Sequence, residues 1–208
     1  MSKTYNVIIL GGRGSGKTVF LASMYKLLST QGELGFFLEV DSAKKRRRLN
    51  NIYTDVARVD KEWPKGTDPN EVSEWNFTCN VQTSNLSIYP ACHFTYLDYF
   101  GGRLTDDELE EDVEFESKLN GADAFLGLLD GHRLSSLMRG ENLGNIWMLQ
   151  ELPNILEYMQ KTNKPIHFVI SKWDLLEGKY TLDQIQEKLL EIPAFRNIVT
   201  QRNQADSS

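Results

Sequence analysis

Cysteine is scarce in this chain. Cys79 and Cys92 are the only two among 208 residues, too few for a disulfide framework and suited to a reducing compartment. No apolar run approaches the length of a membrane span. The N-terminal MSKTYN lacks the apolar core of a signal peptide. Positive charge is not in excess: 23 Lys and Arg against 29 Asp and Glu leave a formal charge of −6, which disfavours a general nucleic-acid coat. Internal repeats and low-complexity linkers are also missing, and the length suffices for one sizeable core. These absences predict a soluble, intracellular, cytoplasmic protein of one domain over 1–208.

What is present is concentrated first in YNVIILGGRGSGKT, from Tyr5 to Thr18. A short apolar run, a Gly-rich turn and a helical pattern follow one another, which reads as strand, phosphate-binding loop and helix. Gly11-x-x-x-x-Gly16-Lys17-Thr18 has the Walker A spacing. In that arrangement the backbone N–H groups of Gly12, Arg13, Gly14, Ser15 and Gly16 turn inward around a phosphate, and the helix N-terminus adds its positive end. Lys17 bridges the β- and γ-phosphates and the Thr18 hydroxyl ligates Mg²⁺.

Further along, Val19, Phe20, Met24, Leu27 and Leu28 recur at helical spacing and predict the face that packs on the sheet. Phe36 to Val40 reads as a short strand. Ser42 is placed to cap a helix with apolar positions Leu49, Ile52, Tyr53, Val56 and Val59. Lys44, Lys45, Arg46, Arg47 and Arg48 open that helix. They are either a solvated face or a dock for phosphate, membrane or an acidic partner. WPKGTDP is a loop, and Trp75 to Val81 and Ala91 to Leu97 form a candidate antiparallel pair at one sheet edge. The second of these ends in Asp98-Tyr99-Phe100-Gly101. Behind a Walker A loop, an Asp-x-x-Gly at a strand end places Asp98 near Mg²⁺ through water and the Gly101 N–H near the γ-phosphate.

Thr105 to Glu108 forms a capping box before an acidic helix with a thin seam of Leu109, Val113 and Leu119, either solvated or a partner surface. Ala124 to Leu129 reads as a central parallel strand ended by Asp130-Gly131. His132 is expected at the surface or in a cap. Asn142 to Lys161 supplies a helix that Pro153 kinks or restarts. Ile166 to Ile170 is a strand delivering Ser171-Lys172-Trp173-Asp174. A single carboxylate at Asp174 can accept both N1–H and the 2-amino group of guanine, a pair adenine does not offer. Lys172 can lay its stem over the base.

The order GxxxxGKT, DxxG, SKWD resembles the translation-factor and Ras-like class of P-loop GTPases over nearly the whole chain. GGRGSGKT, the inserted helix, WPKGT and SKWD together look most like the double-GTPase proteins predicted in bacterial conflict systems. The resemblance implies an α/β fold, a mainly parallel P-loop sheet between helices. It also implies binding of GTP or GDP with Mg²⁺, slow hydrolysis of GTP, and a switch acting on a protein effector. It makes Thr67 the switch threonine that reaches Mg²⁺, with Thr78 a weaker candidate.

Against the family pattern, Ser171 replaces Asn or Thr, and Gly102 stands where relatives place a water-orienting Gln. Gly14, where potassium-activated relatives carry Asn, argues against a monovalent ion. Arg103 and Arg13 are the candidates for transition-state charge in cis. The last family strand and its base-contacting loop are missing from PAFRNIVTQRNQADSS, so either Asn197 to Thr200 begin a divergent strand or the chain is a fragment. Two other readings stay open: an ATPase of the same fold, and a nucleotide-bound scaffold without turnover.

Overall fold

The structure is a computed structural model that describes residues 2–30, 35–58, 73–83, 87–98 and 113–205. Val7 to Leu10 continue an apolar run with no polar interruption, the composition of a strand covered on both faces. They complete β1 (Lys3–Leu10), in which Ile8, Ile9 and Leu10 are fully buried. α1 (Lys17–Leu28) follows, then β2 (Phe36–Val40) and α2 (Ala43–Ala57). The Ser42 hydroxyl accepts from the Lys45 N–H at 3.2 Å, the cap its position predicts. The long ribbon β3 (Ser73–Gln82) and β4 (Ile88–Asp98) comes next, followed by α3 (Val113–Asn120) and β5 (Ala124–Asp130). The chain continues through α4 (Gly131–Met138), α5 (Asn142–Ile146), α6 (Leu152–Gln160), β6 (Ile166–Ser171), α7 (Leu182–Leu190) and α8 (Pro193–Ala205).

The strands form one sheet in the order β2-β3-β4-β1-β5-β6. β4, β1, β5 and β6 are parallel, and antiparallel pairing is confined to one end, where β3 runs against both β2 and β4. Alternation along the strands divides the core in two. Ile8, Leu10, Phe125 and Leu129 face one layer of helices with Leu134, Leu156, Ile185 and Ile198. Ile9, Phe77, Trp75 and Leu128 face α1 and α2 through Leu21, Tyr25 and Leu49. The sheet is therefore covered on both sides, an α/β fold.

Two sequence expectations are corrected, the first only in part. α1 buries Leu21, Ala22, Tyr25 and Lys17; of the expected seam Phe20, Met24 and Leu28 pack half-buried against the same core, whereas Leu27 is 75% exposed. The helix is apolar nearly all round, so its pattern does not fix its rotation; the phosphate loop at its N-terminus does, by turning Lys17 inward. The span from Asn142 to Lys161 is helical as expected and restarts at Pro153: one π-helical turn, Trp147–Glu151, separates α5 from α6, and Pro153 lies in the first turn of α6. A proline there lacks only an N–H that a helix start leaves unpaired anyway. Asn197 to Thr200 are not a strand but part of α8, where Ile198 packs into the core beside Phe195. The expected acidic helix is found in its second half as α3, with Leu119 in the core; its first half around Leu109 and the residues Thr67, Gly101, Gly102 and Arg103 lie outside the described residues.

The rotation of α1 has a direct consequence for stability. Leu21→Ala should lower the free energy of unfolding by about 2–5 kcal/mol, the range for a fully buried leucine. Leu27→Ala should change it by less than about 0.5 kcal/mol. Urea unfolding of the two variants checks the order; equal losses would return Leu27 to the core.

Candidate functional site

The carboxyl ends of β1, β4, β5 and β6 converge on one edge of the sheet, and the loop between β1 and α1 lies across it. Gly14 and Gly16 have φ of +74° and +88°, a left-handed backbone that glycine adopts without penalty. The Ser15 N–H donates to the Gly12 carbonyl at 3.2 Å, and α1 opens with Phe20 N–H donating to Gly16 at 2.8 Å. Lys17 is buried and reaches back over the loop: its Nζ donates to the carbonyl of Gly11 at 2.9 Å and of Gly12 at 3.4 Å. Ser15 is buried with its hydroxyl turned toward Gly11 and without a hydrogen-bond partner among the described residues. Arg13 is exposed on the loop, and Thr18 is half-buried at the start of α1.

Asp98 is the last residue of β4 and stands opposite Ile9, one residue before the end of β1. The strand end expected to carry a Mg²⁺-side carboxylate is therefore adjacent to the phosphate loop. Thr78 is not at this edge. It sits within β3, and its hydroxyl shares a hydrogen bond with His93 Nδ1 at 3.1 Å, which removes it as a switch threonine.

On the other side of β1, β5 runs three residues past the level of Leu10, which pairs with Gly127, and so carries Asp130 up to the height of the phosphate loop. Asp130 and Ser171 are paired neighbours on β5 and β6. Directly after Ser171 the backbone of Lys172 turns left-handed, φ 50° and ψ 44°, the sole non-glycine with positive φ among the described residues. This turn aims Lys172 back across the strand ends. Its Nζ donates to the Gly14 carbonyl at 2.9 Å and to Asp130 Oδ2 at 3.0 Å, with Oδ1 at 2.9 Å. The Ser171 hydroxyl donates to the Leu129 carbonyl at 3.2 Å, bracing β6 on β5. Asp174 lies in a single 3₁₀ turn, Trp173–Leu175, which is held by Leu175 N–H on the Lys172 carbonyl at 3.1 Å. Asp174 is exposed and makes no hydrogen bond or ion pair among the described residues.

Asp130, 4% exposed, is a site residue that the sequence reading did not assign. It was visible only as the end of a strand. An Asp closing the strand next to the SKWD strand was the signal, because parallel neighbours that end together place their last side chains side by side. Asp130 also caps α4, accepting from the His132 N–H at 2.9 Å, and His132 itself is exposed.

Two further residues border the loop without any sequence signal. Arg133 on α4 pairs with Glu151 at the end of the π-helical turn, and the two charged groups lie 3.3 and 3.2 Å from where a Cβ on Gly12 would stand. Burial pulls the Arg133 guanidinium below its ordinary value, opposed by the carboxylate of Asp130; Arg133 Nε is 3.9 Å from Asp130 Oδ2. Charges thus alternate from Lys172 through Asp130 and Arg133 to Glu151 along the back of the phosphate loop.

A Walker A loop after the central strand of a mainly parallel sheet, with helices on both faces, is a defined architecture. The fold is that of a P-loop nucleoside triphosphatase. No family model matches the chain, and no curated protein matches it. Solved structures similar to it include Methanosarcina barkeri Roco2 RocCORdC bound to GDP, 12% identical, with 92% of this chain and 41% of that one covered at a TM-score of 0.38. A variant of S. thermophilus NFeoB bound to GDP is 15% identical, with 95% and 59% covered at a TM-score of 0.39. This chain therefore spans less than two thirds of the length of either. At that similarity the two add nothing to what the strand order and the loops show.

Asp130→Ala removes both the buried partner of Lys172 and the cap of α4. The loss should be about 1–3 kcal/mol, below the 3–5 kcal/mol of a fully buried pair because the Lys172 side chain keeps 31% of its exposure to water. Asp130→Asn retains an acceptor and should fall between the variant and wild type. Urea unfolding curves for the three proteins give the order; an unchanged midpoint for Asp130→Ala would show that the buried pair contributes nothing.

Proposed function

We propose that this chain is a Mg²⁺-dependent guanine-nucleotide-binding switch domain that hydrolyses GTP slowly. The observation that carries the reading is the pair of aspartates joined through Lys172. Asp130 spends both oxygens on Lys172 and the α4 cap, whereas Asp174, fixed two residues beyond that same lysine, keeps an acceptor-only carboxylate free in solvent. A free carboxylate on a turn anchored to the phosphate loop has the chemistry to accept the paired N–H groups of guanine. The apolar stem of Lys172 provides a surface for the ring.

The residues fit Mg²⁺. Thr18 offers a hydroxyl at the helix start, and Asp98 occupies a neighbouring strand end. One hydroxyl and one carboxylate are the donor set of an ion held by one or two oxygen ligands together with phosphates and water. When bound, Mg²⁺ would neutralise charge on the β- and γ-phosphates. The chain's own residues bind and orient: the loop N–H groups receive the β-phosphate, Lys17 exchanges its bonds to Gly11 and Gly12 for phosphate oxygens, and Thr67 and Gly101 sense the γ-phosphate. The closer resemblance to double-GTPase proteins of conflict systems supports a protein effector and a cytoplasmic setting. No helix among the described residues is long and apolar enough to cross a membrane.

Base recognition is tested by replacing one atom. Asp174→Asn presents one acceptor and one donor, which mismatches guanine and suits the 2-oxo group of xanthine, so preference should move from GTP to XTP. Calorimetric titration of wild type and variant with GTP, XTP and ATP measures it. Equal wild-type affinity for ATP and GTP would favour the ATPase reading instead.

Hydrolysis needs a group other than Gly102. By the resemblance, Arg103, two residues beyond Gly101, belongs to the segment expected to swing toward the γ-phosphate, whereas Arg13 is carried on the phosphate loop itself. Arg103→Ala should slow single-turnover GTP hydrolysis at least tenfold, about 1.4 kcal/mol, with little change in GTP affinity. Arg13→Ala is the comparison. A slow Arg13→Ala beside a normal Arg103→Ala exchanges their roles, and wild-type turnover at the uncatalysed rate would leave a nucleotide-bound scaffold.

A further inference from the structure

Cys79 and Cys92 belong to no part of the nucleotide site, yet the sheet brings them together. In the β3–β4 ladder they stand directly opposite each other. Opposed residues of an antiparallel pair share a face, with Cα atoms about 4.5–5.5 Å apart. A disulfide spans about 4.4–6.8 Å between Cα atoms, so the backbone already holds the distance the bond requires. Standing opposite each other on one face, the two side chains are cross-strand neighbours. Both are free and half-buried, and they lie on the α1–α2 side of the sheet with Phe77, Phe94 and Tyr96.

The next pair in the ladder is Asn80 with Pro90, which leaves Ala91 as an extra residue beside Cys92. A bulge of this kind increases the local twist and breaks the regular hydrogen bonding next to the pair. Burial, together with the Cys92 thiol alongside, pushes the Cys79 thiol up from its ordinary value. Cys92 is opposite Lys3, at the start of β1, whereas the phosphate loop follows its end. The pair is therefore at the far end of the sheet from the nucleotide site.

We propose that Cys79 and Cys92 form an oxidation site, which a low-molecular-weight disulfide such as glutathione disulfide converts into a reversible cross-strand disulfide joining β3 to β4. One cysteine loses its proton to water, and the thiolate attacks a glutathione sulfur. The S–S bond of glutathione disulfide breaks, and one glutathione thiolate leaves. The second cysteine, deprotonated in turn, attacks the protein sulfur of this mixed disulfide, and the second glutathione leaves. The two cysteines lose two electrons and two protons, and the oxidant becomes two thiols. Because the partner cysteine is the directly opposed residue of the ladder, the second step is intramolecular and outruns attack by a free glutathione. The bond then fixes the ribbon whose other end carries Asp98. This inference does not depend on which nucleotide, if any, the chain binds.

The test exposes the native protein to mixtures of reduced and oxidised glutathione, quenches with acid and an alkylating agent, and measures intact mass. The expected product has lost the mass of two hydrogens, has no alkylatable thiol, is monomeric on a non-reducing gel, and returns to the dithiol with dithiothreitol. Cys79→Ser and Cys92→Ser should each stop at one bound glutathione. The proposal is overturned if wild-type protein accumulates bound glutathione without closing, or if it keeps both thiols while the urea-unfolded chain reacts. Both outcomes are read on the wild-type chain, so a variant that fails to fold does not rescue the idea.

Discussion

The site depends on where one ammonium group sits. Lys172 Nζ is shared between the carbonyl of Gly14 and the carboxylate of Asp130, and in this way a single side chain ties the phosphate loop, the end of β5 and the start of the SKWD turn to one another. A left-handed backbone at a non-glycine residue costs roughly 1–2 kcal/mol. Two charge-assisted bonds, one to a buried carboxylate, are of the size needed to offset it. The same contact accounts for the glycine after Asp130: a Cβ at Gly131 would overlap the carbonyl oxygens of Ser171 and Lys172, so β5 and β6 could not end this close together.

Beside this contact a second ion pair performs a related task with different means. Arg133 and Glu151 meet beside Gly12, and Glu151 reaches that position from the π-helical turn that interrupts the α5–α6 segment. One extra residue in a turn rotates everything after it, and π turns tend to occur where a side chain must be re-aimed. Lys17, meanwhile, is folded onto the carbonyls of Gly11 and Gly12. The loop is thus cross-braced by cations on several sides, and an incoming polyanion competes with carbonyl oxygens for Lys17 rather than organising the loop from disorder.

How much of this was legible in the sequence follows from the range of each interaction. The phosphate loop, the capped α2, the strand Phe36–Val40 and the SKWD strand end rest on neighbours within a few positions, and each is found where its residues place it. The mainly parallel sheet with its antiparallel end also follows from local strand patterns and the order in which they occur. Asp130 as a partner of Lys172, 42 positions away, and Glu151 as a neighbour of Gly12 depend on strand register and helix phase, which no short window contains. The face of α1 was legible only in part for the complementary reason: eight apolar or aromatic residues among Val19 to Leu28 are compatible with several rotations, and tertiary anchoring at Lys17 selects the one that leaves Leu27 outside.

The loops at the ends of β5 and β6 are braced by charge and not by Ser171. Here the Ser171 hydroxyl reaches only the Leu129 carbonyl, within its own strand pair. The bracing between loops is supplied instead by Lys172 with Asp130, a longer side chain and a full charge in place of a short neutral one. A charged brace is stronger but less directional than an amide, because an ammonium presents three equivalent donors and a carboxylate two acceptors. Orientation must therefore come from the backbone, and the left-handed turn at Lys172 with the 3₁₀ turn after it provides that orientation and holds Asp174 in place.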